Sequence, residues 1–124
     1  MILLSGGLFC LLEESFGQAE EKTDSAVSLS PATVDSIARG KELFMVGCIS
    51  CHGEQGRGDG PAAIFLERPP RDLANAEAMN AFTDLELFEK IGEGNDIMPS
   101  FAEAYTEEEI EHIVHYVRTL SENK

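Results

Sequence analysis

Hydrophobic positions recur with a helical period of about 3.6 residues in three stretches of the chain. The first stretch runs from about residue 32 to residue 46, with Ser30 as the expected N-cap and Pro31 at the first helical position. The second covers about residues 84–91, with Gly92 as its expected end. The third follows Thr106 and carries the stripe Ile110, Ile113, Val114, Val117 and Leu120. The pattern predicts an all-α domain.

Polar signals at the ends of these stretches support the helical interpretation. The later two stretches each open with a capping box, in which a threonine and a glutamate three residues later satisfy each other's backbone N–H groups. The pairs are Thr83 with Glu86 and Thr106 with Glu109. A shorter capped helix is expected at residues 75–79, and one turn of helix between Pro61 and Leu66. Within that turn, Ile64, Phe65 and Leu66 are expected to pack into the core or a ligand pocket.

The N-terminus has a different pattern. Residues 2–12 are almost wholly apolar, but a membrane-spanning helix needs about 20 such residues, so the run is typical of a signal-peptide core. Small residues then favour cleavage after Gly17 or Ala19, although no Lys or Arg precedes the run, which makes the leader atypical. Cys10 is expected to be lost with the leader, because the bulky Phe9 before it argues against a lipid anchor. We therefore divide the chain into a signal peptide (1–19), a flexible linker (20–29) and a domain (30–124).

The sequence Cys48-Ile49-Ser50-Cys51-His52 directly follows the first predicted helix. C-x-x-C-H is the attachment signature of c-type haem. Two thiols one helical turn apart can each bond one of the two vinyl groups of a porphyrin, and the next residue then lies beneath the iron. The motif predicts one covalent haem c, bound through Cys48 and Cys51, with His52 as an axial iron ligand.

Two other uses of paired cysteines fit less well. A thioredoxin-like redox pair requires a βαβ pattern, whereas here a helix precedes the motif and a glycine-rich loop follows it. A structural zinc site requires four ligands, and the third and fourth would have to come from His52, His112 and His115. His112 and His115 lie too close together for the usual zinc-finger spacing, and both are expected at the surface of the last helix.

A second iron ligand is predicted in the loop before the last helix. Met98 precedes Pro99 in a glycine-rich segment, away from any helical core face. A thioether ligand favours Fe(II) and raises the potential relative to a second histidine. Met45 lies within the helix ahead of the motif, and Met79 lacks a following proline, so Met98 is the expected axial ligand. Arg71 is a further residue whose side chain suits a haem propionate.

Charge narrows the choice of partners. The 124 residues include nine Lys and Arg against 23 Asp and Glu, a formal net charge of −14. So acidic a chain is not expected to bind nucleic acid or an anionic membrane surface, and a basic protein surface is the natural partner. The domain is also small, so a covalent haem would supply apolar mass that the core needs.

The chain from about residue 30 to residue 120 resembles a class I cytochrome c of the bacterial monohaem type. The similarity rests on Gly40 to Phe44 before the haem motif, on Gly58-Asp59-Gly60-Pro61, on Met98-Pro99-Ser100-Phe101, and on the helix around Tyr116. The resemblance implies that the first and last helices pack together, with Gly40 and Phe44 against Tyr116. It also implies that a proline carbonyl orients His52, and Pro61, Pro69 and Pro70 remain open for that role.

The function expected from this resemblance is one-electron transfer between redox proteins in a respiratory or photosynthetic chain, without catalysis. Haem c attachment and the leader together predict a periplasmic protein with no membrane-spanning segment in its mature form. The alternatives are a haem c subunit of a larger oxidase or dehydrogenase complex, a haem peroxidase and a haem sensor. A peroxidase requires an open sixth iron position, which a Met98 ligand would fill.

Overall fold

The computed structural model describes residues 28–122, so the predicted signal peptide and most of the predicted linker lie outside the described residues. Within this range the chain is helical and has no strands. The α-helices are α1 (Val34–Gly47), α2 (Ile49–His52), α3 (Ala76–Asn80), α4 (Asp84–Glu93) and α5 (Glu107–Glu122), and a 3₁₀ turn covers Ala63–Phe65. The predicted all-α class is confirmed. None of the helices in residues 28–122 has the length and apolar character needed to cross a bilayer.

The N-cap of helix α1 lies three residues after the predicted cap, Ser30. Thr33 is its N-cap, and Thr33 and Ser36 each bond the other's backbone N–H in a capping box. The predicted cap, Ser30, instead bonds to the last helix: its backbone N–H donates to the Glu111 carboxylate, and its carbonyl accepts from His115 Nε2. The segment before α1 is therefore held against α5 rather than wound into α1.

The other helix starts are as predicted. Thr83 and Glu86 close a capping box at α4, and Thr106 and Glu109 exchange the same bonds at α5. These backbone bonds lower the pKa of both the Glu86 and the Glu109 carboxyl groups. The end of α4 differs, because Gly94 rather than Gly92 has the positive φ, of 69°, that terminates the helix.

Helices α1 and α5 form the main packing interface of the domain. A Cβ atom at Gly40 would lie 1.8 Å from the carbonyl oxygen of His112, so only glycine allows the two backbones to come this close. One turn later the rings of Phe44 and Tyr116 meet edge to face with centroids 5.3 Å apart. The predicted contacts of Gly40 and Phe44 with Tyr116 are confirmed. Phe44, Ile113 and Val114 are among the most deeply buried side chains of the core.

Arg118 joins α5 to the segment between α3 and α4. Its guanidinium donates to the carbonyls of Met79 and Phe82 and to the carboxylate of Asp84. One side chain thus satisfies two backbone carbonyls and pairs with the first residue of α4, which fixes the position of Phe82.

The structure contradicts two of the expectations about burial. His115 is only 6% exposed rather than at the surface, because its Nδ1 contacts Ser36 Oγ and its Nε2 contacts the carbonyl of Ser30, each at 2.9 Å. Both ring nitrogens are therefore satisfied inside the protein. In the 3₁₀ turn, Ile64 and Phe65 are 81% and 83% exposed and do not pack into the core. The prediction was wrong for these two side chains because a single helical turn can bury only part of its surface.

Candidate functional site

The C-x-x-C-H motif forms the junction between α1 and α2. The backbone N–H of Cys48 still bonds to Phe44 of α1, and the N–H of His52 bonds to the Cys48 carbonyl, both at 2.9 Å. This continuous helical path places Cys48 and Cys51 almost one turn apart. Both thiols are free in the structure, with no disulfide between them.

The glycine-rich loop after the motif folds back over α2. Backbone N–H groups of Gly58 and Gly60 donate to the carbonyls of His52 and Cys51, at 2.8 and 3.1 Å. A Cβ atom at Gly60 would lie 2.4 Å from the carbonyl oxygen of Ser50, so this close return requires glycine. The loop therefore satisfies the carbonyl groups at the end of α2 and holds the short helix in place.

All four residues predicted to hold haem line a single cavity of about 540 Å³, namely Cys48, Cys51, His52 and Met98. The cavity lies between α1, α4, α5 and the segment before α3. Its walls are largely apolar, and they include Phe44, Leu73, Leu87, Ile91, Ile113 and Val117. Its size and apolar lining are those of a cofactor site.

The imidazole of His52 is held neutral. Burial lowers its pKa, and hydrogen bonding with the backbone of Arg71 only partly offsets that effect. Nδ1 is buried without a well-aligned hydrogen bond among the described residues. The backbone of Arg71 is close enough to the imidazole to affect its pKa, and Pro61, Pro69 and Pro70 stay open as the residue that orients His52. A neutral imidazole has a lone pair available for a metal.

The thiol pKa of Cys48 is shifted in the opposite direction from that of a reactive redox thiol. Burial raises the pKa of its thiol to about 11, and the nearby Cys51 thiol adds to this shift. Redox-active thiols in C-x-x-C pairs have lowered pKa values instead. The geometry around Cys48 therefore disfavours a thioredoxin-like function.

The loop that carries Met98 is closed by Asn95. Its side-chain Oδ1 accepts from the backbone N–H groups of Ile97 and Met98, each at 2.9 Å. Its own N–H donates to the Met98 carbonyl at 2.8 Å. At Gly94 a Cβ atom would lie 2.4 Å from that same carbonyl oxygen, so Gly94 and Asn95 together shape the loop.

The loop is also attached to the end of α4. The Ser100 hydroxyl donates to the Gly92 carbonyl at 2.6 Å, and the Phe101 N–H donates to the Ile91 carbonyl at 3.2 Å. Of the methionines in residues 28–122, Met98 alone lines the cavity. Met79 is fully buried in the core, and Met45 is half-buried on α1 away from the cavity lining.

Several residues of the site were not predicted from the sequence. Asn95 is one, although an asparagine after a glycine in a loop is a turn signal that favours it. Phe82 and Lys90 are two others. They line the cavity because of the position of α4 and of the residue just before it, which no local sequence pattern predicts. Within the described residues, no group of three or more His, Cys, Asp or Glu side chains is arranged to hold a metal ion.

Comparison with known proteins identifies the family. The cytochrome c family model matches residues 37–121, which include both the motif and the Met98 loop. The chain therefore belongs to the cytochrome c family, whose members bind covalent haem c with iron. No curated protein sequence matches the chain.

Several solved structures are similar to this chain, and two of them follow. One is a chain of the reducing HAO-like protein complex Kustc0457/Kustc0458 of Kuenenia stuttgartiensis, with 30% identity and a TM-score of 0.66. That match covers 75% of this chain but only 47% of the other, so this chain spans about half the length of that relative. The other is the c-type cytochrome KustC0563, with 32% identity, a TM-score of 0.59, and coverage of 65% of this chain and 95% of that one.

The residues present fit haem c on chemical grounds. Cys48 and Cys51 are uncommitted thiols at a cavity wall, and His52 carries a neutral imidazole beside the same cavity. The largely apolar lining suits the apolar faces of a porphyrin. Haem c suits these residues, because its two vinyl groups can bond the two thiols and its iron can bind the imidazole.

Proposed function

We propose that this protein is a one-electron carrier whose haem c is bonded to Cys48 and Cys51 and whose iron is ligated by His52 and Met98. The observation that carries the proposal is the convergence of these four side chains on one cavity from two segments far apart in sequence. A bound haem would supply reversible one-electron chemistry at its iron. The protein itself would do no substrate chemistry.

Each part of the chain has a distinct task in this proposal. Helix α2 and its N-cap residue, Cys48, present the two thiols and the imidazole within about one turn. The backbone of Arg71 interacts with the His52 imidazole and helps to orient the ring. The Asn95 loop holds the Met98 thioether at the cavity. Apolar residues exclude water, which lessens the reorganisation that accompanies electron transfer.

Covalent attachment is the first part of the experiment. Protein made together with haem-attachment machinery should retain one haem mass under denaturing mass spectrometry. The double variant Cys48→Ala/Cys51→Ala should lose it, because no vinyl bond can form. Retention of the haem by this variant would contradict the thioether assignment.

Axial ligation is the second part. Met98→Ala should abolish the weak sulfur-to-iron absorption of the oxidised protein, lower the reduction potential and open the iron to small ligands. Met45→Ala is the matched control, because Met45 is half-buried but does not line the cavity. If Met45→Ala or Met79→Ala loses these properties and Met98→Ala keeps them, the assignment of Met98 is wrong.

The setting of the protein follows from its chemistry. We infer an exported, periplasmic protein, because haem c attachment takes place on the outer side of the bacterial cytoplasmic membrane and the N-terminal run resembles a signal peptide. We infer redox partners with basic docking surfaces, since the chain carries a formal charge of −14.

A second arrangement is a haem c subunit held within a larger oxidoreductase complex. It is favoured by the similarity to a chain of the reducing HAO-like protein complex, of which this chain covers about half. Size-exclusion chromatography of the protein from its native source distinguishes the two. A free carrier elutes at the mass of one chain, whereas a subunit elutes with its complex.

A further inference from the structure

A histidine on α5 is buried but has no part in the proposed electron transfer. His115 does not line the cavity. Its two ring nitrogens contact two other segments: Nδ1 lies 2.9 Å from Ser36 Oγ of α1, and Nε2 lies 2.9 Å from the Ser30 carbonyl oxygen. The imidazole therefore joins α5 both to α1 and to the segment before α1.

Residues 28–33 form this segment, which we call the N-terminal arm. Leu29 of the arm packs against the hydrophobic core. The backbone of Ser30 is bonded to α5 on both sides, since its N–H donates to the Glu111 carboxylate and its carbonyl contacts His115. The arm connects the domain to residues 1–27, so these contacts determine where that sequence leaves the domain.

The hydrogen bonds around His115 favour a ring that donates from both nitrogens. The groups beside Nε2 are acceptors, namely the Ser30 carbonyl and the Glu111 carboxylate, which lies 3.8 Å away. Beside Nδ1, the Ser36 hydroxyl can donate its one proton to the Thr33 carbonyl, at 3.0 Å, and accept from Nδ1. A neutral imidazole has a single N–H and cannot make both donations. The imidazolium therefore satisfies one more hydrogen bond than the neutral ring.

Charge on α5 acts in the same direction. The Glu111 side chain is largely buried and already accepts the Ser30 N–H, so a proton on His115 adds an ion pair to an existing hydrogen bond. Solvent screens such a pair less than an exposed one. The neighbouring histidine of α5 is His112, whose ring centroid lies 6.4 Å from that of His115 and whose Nε2 lies 4.0 Å from the Glu108 carboxylate.

Charges on α1 and in the arm complete the surroundings of His115. Asp35 and Arg39 lie within one turn of Ser36 on α1. Arg39 pairs with the carboxylates of Glu42 and Glu109. The arm has no charged side chain. Carboxylates and arginines keep their charge near neutral pH, so the histidines are the groups here that change charge in that range.

We propose that His115 is a proton-operated latch that holds the N-terminal arm against α5. The imidazolium donates to Ser36 and Ser30 and pairs with Glu111. Loss of one proton removes the ion pair and one donated hydrogen bond, so the arm is held less tightly. The latch is complete on the acid side and weakens as the pH rises through the range in which histidine titrates. None of these residues lines the cavity, so the inference does not rest on the proposed haem.

The test is amide hydrogen exchange of the holoprotein, followed at the Ser30 N–H at about pH 5.5 and about pH 7.5. Each rate is converted to a protection factor, which removes the intrinsic effect of pH on exchange. The wild-type protection factor should be about fivefold higher at the lower pH, which is the factor that one net hydrogen bond supplies. Equal protection at the two pH values would overturn the proposal, and this comparison needs no variant.

Three variants assign the effect to the latch. His115→Gln keeps hydrogen-bonding groups but cannot take up a proton, so its two protection factors should agree. Glu111→Gln keeps an acceptor for the Ser30 N–H and removes the charge, so its ratio should fall below that of the wild type. His112→Gln is the matched control, because it removes the neighbouring histidine and leaves the latch contacts in place. It should keep the wild-type ratio.

The outcomes against the proposal are equally specific. A wild-type ratio in His115→Gln would show that another group carries the pH dependence. Loss of the ratio in His112→Gln alone would assign the effect to the wrong histidine for this proposal. Circular dichroism establishes that each variant is folded. If His115→Gln does not fold, Glu111→Gln decides, because an undiminished ratio in that variant excludes the ion pair on which the latch depends.

Discussion

Asn95 shows how much of the site depends on a single side chain outside the haem motif. It makes three hydrogen bonds that close the loop around Met98, two through Oδ1 and one through its own N–H. Its role is to position the methionine. We expect its removal to loosen the loop without changing any proposed iron ligand.

The prediction is that Asn95→Ala weakens the sulfur-to-iron absorption and lowers the free energy of unfolding by about 1–2 kcal/mol, since a net hydrogen bond contributes about 1 kcal/mol. Asn95→Asp keeps an acceptor oxygen at the same place and should preserve the absorption. Optical spectroscopy and urea unfolding of the holoproteins measure both effects. The positioning role would be contradicted if Asn95→Ala showed the wild-type absorption. It would also be contradicted if Asn95→Asp lost as much of the absorption as Asn95→Ala.

At the residue scale, what the sequence predicted well is local. Cys48, Cys51 and His52 lie within five residues, so their proximity to a common cavity follows from helical geometry alone. The error for His115 has a different cause. Its burial depends on Ser30 and Ser36, which approach from about 80 positions earlier in the sequence, and no local pattern encodes that approach.

At the scale of the helices, the close contact of α1 with α5 limits which residues can replace Gly40. The backbone of α1 at Gly40 touches the carbonyl of His112 so closely that a methyl group has no room. Gly92, in the last turn of α4, is different. A Cβ atom there would meet its nearest neighbour, Ile110, at an ordinary 3.8 Å. The two glycines therefore form a matched pair for substitution.

We expect Gly40→Ala to lower the free energy of unfolding by about 3 kcal/mol, because the helices must separate to admit the methyl group. Gly92→Ala should be neutral or stabilising by up to about 1 kcal/mol, since alanine is the better helix former. Chemical denaturation of the two holoproteins gives both values. Equal stability of the two variants would show that α1 and α5 can move apart at Gly40 without loss of folding free energy.

The capping boxes explain why the starts of α4 and α5 could be predicted from the sequence. A Thr and a Glu three residues apart satisfy each other's backbone groups without help from the rest of the protein. The start of α1 could not be placed in this way. Ser30 and Pro31 have the right local chemistry, but Ser30 is bound to Glu111 and His115 of α5.

On the scale of the whole molecule, the distribution of charge is the main feature. The only acidic residues that cleavage after Ala19 would remove are Glu13 and Glu14. The mature chain would therefore stay strongly acidic. Several carboxylates gather at the start of α5, where Glu107 and Glu108 are exposed. Three basic residues, Arg68, Arg71 and Lys90, line the cavity instead.

We expect association with a basic redox partner to slow as salt is added, because the Debye length shortens from about 30 Å at 0.01 M to about 10 Å at 0.1 M. Stopped-flow electron transfer should show rates that fall with salt for a cationic small reagent and rise for an anionic one. The physiological partner should show the same fall as the cationic reagent. A rate with that partner that does not depend on salt would leave the acidic surface with solubility as its only role.

The fold class was predictable because helical periodicity recurs in three stretches of the domain and no stretch has the alternating pattern of a strand. The cavity was harder to predict. Its walls come from α1, α4, α5 and the segment before α3. Phe82 and Lys90 line the cavity only because these elements pack against one another. Periodicity indicates which face of a helix is buried, but not which other helix covers that face.

The pairing of α1 with α5 has a consequence for the order of events during folding. The two helices that form the main interface are the first and the last in the described chain, so the domain cannot close until α5 has been made. Until then, α1 lacks its partner helix. In the closed structure Cys48 is buried, with a thiol pKa of about 11, and is a poor nucleophile. If this thiol bonds haem, we expect the bond to form before the domain has closed rather than afterwards.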